Sequence, residues 1–276
     1  MRSFWSLPRT SEGRQWLLVS LAGVILVVIA FALLVLAGHY LNVNFRHLPP
    51  LPDLGHRVLP RWDVLFLFKV GLLTTLTFFL IAACNDYARI PYFLFMAGFW
   101  FLVRVASTLV TPFGVPQDIL ANYLESVDIK TIWDLLDSGL AAPNVLFFSG
   151  HTGLPFLGYF LVRKDILGKW LSVPLLLISI FYWTLPEYHR LWASGLLLLG
   201  WGAVLRNWNT SVSLKAICLI WSFLMAGVVL LTRVHYTVDV IGAYFMTAGI
   251  VVIGRYFFRK VERRCERIEE YFNTGD

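Results

Sequence analysis

Apolar stretches of bilayer-spanning length follow one another along almost the whole chain, and no soluble core can bury them all. A hydrocarbon core needs roughly 20 apolar residues per helix. By that measure spans fall near residues 17–40, 63–84, 91–111, 146–162, 170–185, 190–206, 214–232 and 236–257. Pro186-Glu187-Tyr188-His189-Arg190 interrupts the fifth and sixth, so residues 170–206 read either as two short spans or as one span with a re-entrant piece. Only 14% of the residues are charged, against about 25% in soluble domains. The expectation is an all-α polytopic transmembrane helix bundle of about eight spans (6–8). It comprises a segment 1–16, a membrane domain 17–257 and a charged tail 258–276. Arg2, Arg9 and Arg14 precede a first run too long for a signal-peptide core, which reads as an uncleaved span. Cys84, Cys218 and Cys265 have no metal-like spacing and read as buried, inert thiols. No internal repeat, low-complexity segment or separate soluble domain is visible.

Charge orients the spans. With eight crossings and a cytoplasmic N-terminus, fifteen Lys and Arg fall inside. Six fall outside, namely Arg46, Arg57, Arg61, Lys130, Arg190 and Arg233. That is the bias the positive-inside rule requires. Both termini are then cytoplasmic, and the acidic 112–145 loop lies outside as a candidate interfacial helix. The tail from Arg255 reads as a cytoplasmic helix extension lying near anionic headgroups, or as a solvated topology anchor.

Against this apolar background the ionisable residues stand out, because such groups are costly within a bilayer and usually functional. Arg233, His235 and Asp239 head the last run. His235 and Asp239 are four apart, so on a helix they share one face, and a carboxylate there orients an imidazole. His151 lies in Ser149-Gly150-His151-Thr152, where a loop enters a helix. Free backbone N–H groups and the helix dipole favour an anion at such a place. A lone membrane histidine is more often a packing group, but parity changes that. With four crossings between them, His151 and His235 lie on the same, extracytoplasmic face. Arg104 could grip a phosphate with paired hydrogen bonds, or pair with a buried acid or snorkel to headgroups. Lys69 reads as structural.

Ser149-Gly150-His151-Thr152, with His235-Tyr236-Thr237-Val238-Asp239-Val240 and Ala243-Tyr244, resembles the sphingomyelin synthase family. That family belongs to the lipid phosphatase and phosphotransferase superfamily typified by type 2 phosphatidic acid phosphatases. Pro49-Pro50-Leu51-Pro52-Asp53 resembles its motif after the first span. Arg104 with Thr108, Thr111-Pro112 and Pro116 resembles its third-span motif. The resemblance covers about residues 49–250. The separation of His151 from His235 is roughly one helical hairpin longer than it implies.

The resemblance implies a type 2 phosphatidic acid phosphatase-like core and a phosphotransferase moving phosphocholine or phosphoethanolamine from a glycerophospholipid to a lipid alcohol such as ceramide. His235, oriented by Asp239, is the expected nucleophile, and His151 the acid and then the base. Ser149, Gly150, Thr152, Arg104, Arg233 and Tyr236 are expected around the phosphate. A lipid phosphatase or phospholipase C-like hydrolase, with water as acceptor, is the close alternative. A proton-relaying transporter or scramblase would call for repeats in matching halves. The expected partners are a phospholipid donor, a lipid-alcohol acceptor and the membrane, with a homo-oligomer left open. No nucleic acid, cofactor or metal is expected.

Overall fold

The computed structural model describes residues 11–45, 47–62, 64–114, 116, 148–182 and 187–274. It is 81% helical with 2% strand, which makes the all-α expectation correct. The helices are α1 (Ser11–Phe45), α2 (Leu54–Val58), α3 (Leu65–Asn85), α4 (Ile90–Val110) and α5 (Gly150–Leu161). They continue as α6 (Ser172–Tyr182), α7 (Glu187–Arg206), α8 (Leu214–Leu231), α9 (Thr237–Phe257) and α10 (Arg259–Thr274). Each expected apolar run meets one of these helices. Residues 117–147, including most of the proposed interfacial loop and the start of the fourth run, lie outside the described residues, as do Arg2 and Arg9. The side chain of Lys69 is likewise outside them.

Four helices are long and apolar enough to cross a membrane: Ser11–Phe45, Tyr87–Val110, Leu214–Leu231 and Thr237–Phe257. Their outer faces keep large apolar side chains exposed, such as Leu18 on α1 and Phe245 and Val252 on α9. A protein in water would not leave so continuous a hydrocarbon surface bare. Close helix contact uses small residues, as is usual where helix association has no hydrophobic drive. Gly23 on α1 faces Leu94 on α4, and Gly98 on α4 faces Leu26 on α1.

The starts of α3, α5 and α9 gather at one end of the bundle, which gives it two distinct ends. At one end the start of α3 meets the start of α5, where Phe68 stacks on His151 with ring centroids 3.9 Å apart. The end of α4 and the start of α9 join them there. At the other end the Trp16 indole of α1 donates to Ala88 O at 3.1 Å, and Arg89 reaches Leu161 O, at the end of α5, at 2.9 Å. Between α5 and α8 the chain forms the helix pair α6 and α7. Strands β1 (Ile166–Leu167) and β2 (Ser211–Val212) pair antiparallel at its base. Within it Trp201 on α7 donates to Ser179 Oγ on α6 at 3.3 Å.

Candidate active site

The two histidine motifs meet through their backbones. Ser149 N–H donates to Asp239 O at 3.1 Å, joining the turn before α5 to the first turn of α9 across 90 residues of sequence. His151, two residues on from Ser149, is thereby brought to the same end of the bundle as His235 and Arg104. His151 is 9% exposed and His235 5%.

His235 and Asp239 pair by a different geometry from the expected helical i,i+4 face. His235 lies in the turn before α9, and Asp239 is the third residue of the helix. Tyr236 is the N-cap, and its N–H donates to Asp239 Oδ2 at 2.9 Å. This capping bond turns the carboxylate back over the entry of the helix, where the same Oδ2 lies 3.6 Å from His235 Nδ1. That is ion-pair distance, longer than a hydrogen bond. Nδ1 faces the carboxylate, which turns Nε2 away from it.

Ser149 occupies the N-cap of α5 without using its side chain to cap the helix. The Arg104 guanidinium lies against Gly150 so closely that a Cβ there would overlap Nη1. Glycine is required by that approach. Arg104 is 7% exposed and lies over the Trp100 ring at 5.8 Å. The hydroxyls of Ser149, Thr152 and Thr108 are wholly buried and have no hydrogen-bond partner among the described residues. Thr108 is one turn beyond Arg104 on the same face of α4. Buried hydroxyls normally find partners, so a cation, a helix start and unmatched hydroxyls together suit an oxyanion.

Among the described residues, the two non-glycine residues with positive φ lie just before these motifs: Phe148 at φ 42° and Arg233 at φ 57°. Such backbone costs of order 1–3 kcal/mol and persists where the surroundings enforce it.

Arg233 and Tyr236 are placed elsewhere than the Arg104–Gly150 cradle. Arg233 Nη2 donates to His56 O at 2.9 Å. The Tyr236 hydroxyl donates to Gly114 O at 2.9 Å and accepts from Leu51 N–H at 3.0 Å. Both residues line a cavity of about 370 Å³ with Asp53, His56 and Arg57. These contacts tie both residues to the segments around the His235 turn. The expected set that converges is His151, His235, Asp239, Arg104, Ser149, Gly150 and Thr152.

Asp53 and His56 escaped notice as site residues. Asp53 caps α2 by accepting from His56 N–H at 2.9 Å. It also accepts from Thr237 N–H at 2.6 Å and Thr237 Oγ1 at 2.8 Å. Burial disfavours its charged form, but the bonds from His56 and Thr237 prevail and hold its pKa below the ordinary carboxylate value. An Asp three residues before His56 is a recognisable cap signal. Nothing local announces its reach to Thr237.

No protein-family model matches the chain, and no curated protein matches it.

Proposed function

We propose that this protein is a membrane phosphotransferase that moves the phosphorylated headgroup of a glycerophospholipid to a lipid alcohol, through a phosphohistidine. The reading rests on the Ser149 N–H to Asp239 O bond, which gathers two imidazoles, one carboxylate and one guanidinium at a single end of an apolar bundle.

His235 Nε2 attacks phosphorus, its Nδ1–H directed at Asp239, which stabilises the cation that forms. The bond from phosphorus to the diacylglycerol oxygen breaks, and His151 gives that oxygen its proton. The headgroup phosphate is left on Nε2. His151, now neutral, takes the proton of an acceptor hydroxyl such as that of ceramide. The acceptor oxygen attacks phosphorus and the P–N bond breaks. Splitting the displacement in two suits a nitrogen nucleophile, and one imidazole serves as acid and then base. Arg104, the start of α5 and the hydroxyls of Ser149 and Thr152 stabilise the crowded phosphoryl oxygens. In this reading the core is of the type 2 phosphatidic acid phosphatase kind. The spans number about eight, the active site is extracytoplasmic, and both termini are cytoplasmic.

The test is to incubate purified protein with headgroup-labelled phosphatidylcholine and phosphatidylethanolamine, with and without ceramide. Ceramide-dependent labelled sphingolipid supports transfer. Free phosphocholine or phosphoethanolamine without it indicates water as acceptor. Neither product from either donor sinks the reading.

A further inference from the structure

We infer that Asp53 and His56 are positioning residues for His235, acting as a clamp from the loop after α1 on the backbone of the reactive turn. The inference rests on the function proposed above for what His235 does, and on geometry for how it is held. Four hydrogen bonds join Asp53 and His56 to the turn and the helix start that follows it. His56 Nε2 lies 2.9 Å from His235 O. A carbonyl oxygen only accepts, so His56 Nε2 carries the proton. Arg233 Nη2–H returns a bond to His56 O at 2.9 Å. Thr237 N–H and Oγ1–H donate to the two oxygens of Asp53. Residues 233, 235 and 237 are thus each tied, and Tyr236 is tied by Leu51 and Gly114.

Two further features show that the approach is close. Gly55 lies so near Thr237 that a Cβ would overlap its Oγ1. The His56 and Tyr236 rings are stacked at 5.7 Å. The turn being held is the strained one, since Arg233 has φ 57°, and its own side chain closes the clamp. With the His235 backbone fixed on both sides, only its two side-chain torsions remain, and Asp239 sets those.

Two variants separate donation from packing. His56→Phe keeps an aromatic ring against Tyr236 and removes the donor. His56→Gln restores an amide donor. In the full-length protein with labelled phospholipid, His56→Phe should lower kcat by about 10–100-fold with KM within about twofold. His56→Gln should recover most of that loss. An unchanged kcat, an equal rise in KM, or a Gln variant as poor as the Phe variant would overturn the clamp. Thr237→Val removes one bond to Asp53 with little change of shape and should lower kcat severalfold, again without KM. It decides the matter if His56→Phe does not fold.

A second readout does not need turnover. In 15N-histidine NMR of the solubilised protein, the His235 ring signals are identified by their loss in His235→Ala. They should shift in His56→Phe and return in His56→Gln, and unmoved signals in His56→Phe would refute positioning. If the wild type neither transfers nor hydrolyses headgroups, the function falls while the NMR arm still judges the clamp.

Discussion

The two ends of the bundle use buried charge in opposite ways. At the end away from the histidines, cations and carboxylates meet at contact distance. Arg89 lies 3.3 Å from Glu262, which Arg163 also reaches at 2.8 Å. Lys164 lies 2.6 Å from Glu269 and 3.1 Å from Asp86. These pairs dock α10 under the bundle, with Cys265 and Ile268 buried behind them. At the histidine end His235 and Asp239 stop at 3.6 Å, three buried hydroxyls have no described partner, and two residues hold left-handed backbone. Opposite charges at contact distance fasten helices together there, although Arg89 Nε and the Asp86 carboxylate make no hydrogen bond among the described residues. Polar groups kept poised at the cost of strain are characteristic of sites that act on something else.

The largest expected contrast is between His235 and any residue of the opposite network. His235→Ala should cut headgroup turnover by at least about a thousandfold, while the thermal midpoint moves by only a few degrees. Turnover assay and differential scanning fluorimetry on one preparation check both halves. Turnover that survives would remove the nucleophile and erase the contrast between the ends.

The chain shows one half of this contrast more plainly than the other. Apolar runs specify the helices because a low-charge sequence has few other ways to bury backbone polar groups. Parity brought His151 and His235 to one end, and Ser149 did prove to be the entry of a helix. The His235–Asp239 pair was anticipated for the wrong local reason, since a spacing of four serves a capping turn as well as a helical face. The clamp was hidden, because Asp53 and His56 meet residues 177 and more positions away through a loop without periodicity. The docking of α10 was hidden too. Its charges read as a solvated anchor until Glu262 and Glu269 are seen facing Arg89, Arg163 and Lys164.

A smaller effect sharpens the comparison within the histidine end. Gly150→Ala puts a methyl where the Arg104 guanidinium rests. The flexible Arg side chain gives way, so the fold should persist while the cradle loses its cation. Turnover should fall by about 100-fold. Arg104→Lys should fall similarly, because an ammonium replaces a planar fork. A Gly150→Ala protein as active as the wild type would show that Arg104 does no work from that position.

The opposite end should answer in stability alone. Glu262→Gln leaves Arg89, 2% exposed, with a neutral partner. It should cost about 2 kcal/mol, read as a lower thermal midpoint, with turnover per folded molecule unchanged. A loss of turnover at unaltered stability would mean that the ends are coupled.

The smallest effect belongs to Asp53, which stands at the histidine end yet is bonded as fully as the carboxylates at the other. Its folded pKa is lowered from 3.8 by the bonds from His56 and Thr237. A lowered carboxylate pKa favours the native state above the unfolded value, and the benefit fades as pH falls through the folded one. From neutrality to about pH 5 this group should leave stability level. Below about pH 4 its protonation should loosen the contact between α2 and the start of α9. Partial exposure limits the effect to under about 1 kcal/mol. Thermal midpoints of wild type and Asp53→Asn, followed from pH 7 to pH 3, should converge at the acid end. A constant gap across that range would mean that the Asp53 charge contributes nothing to holding the turn, and that shape alone joins the two segments.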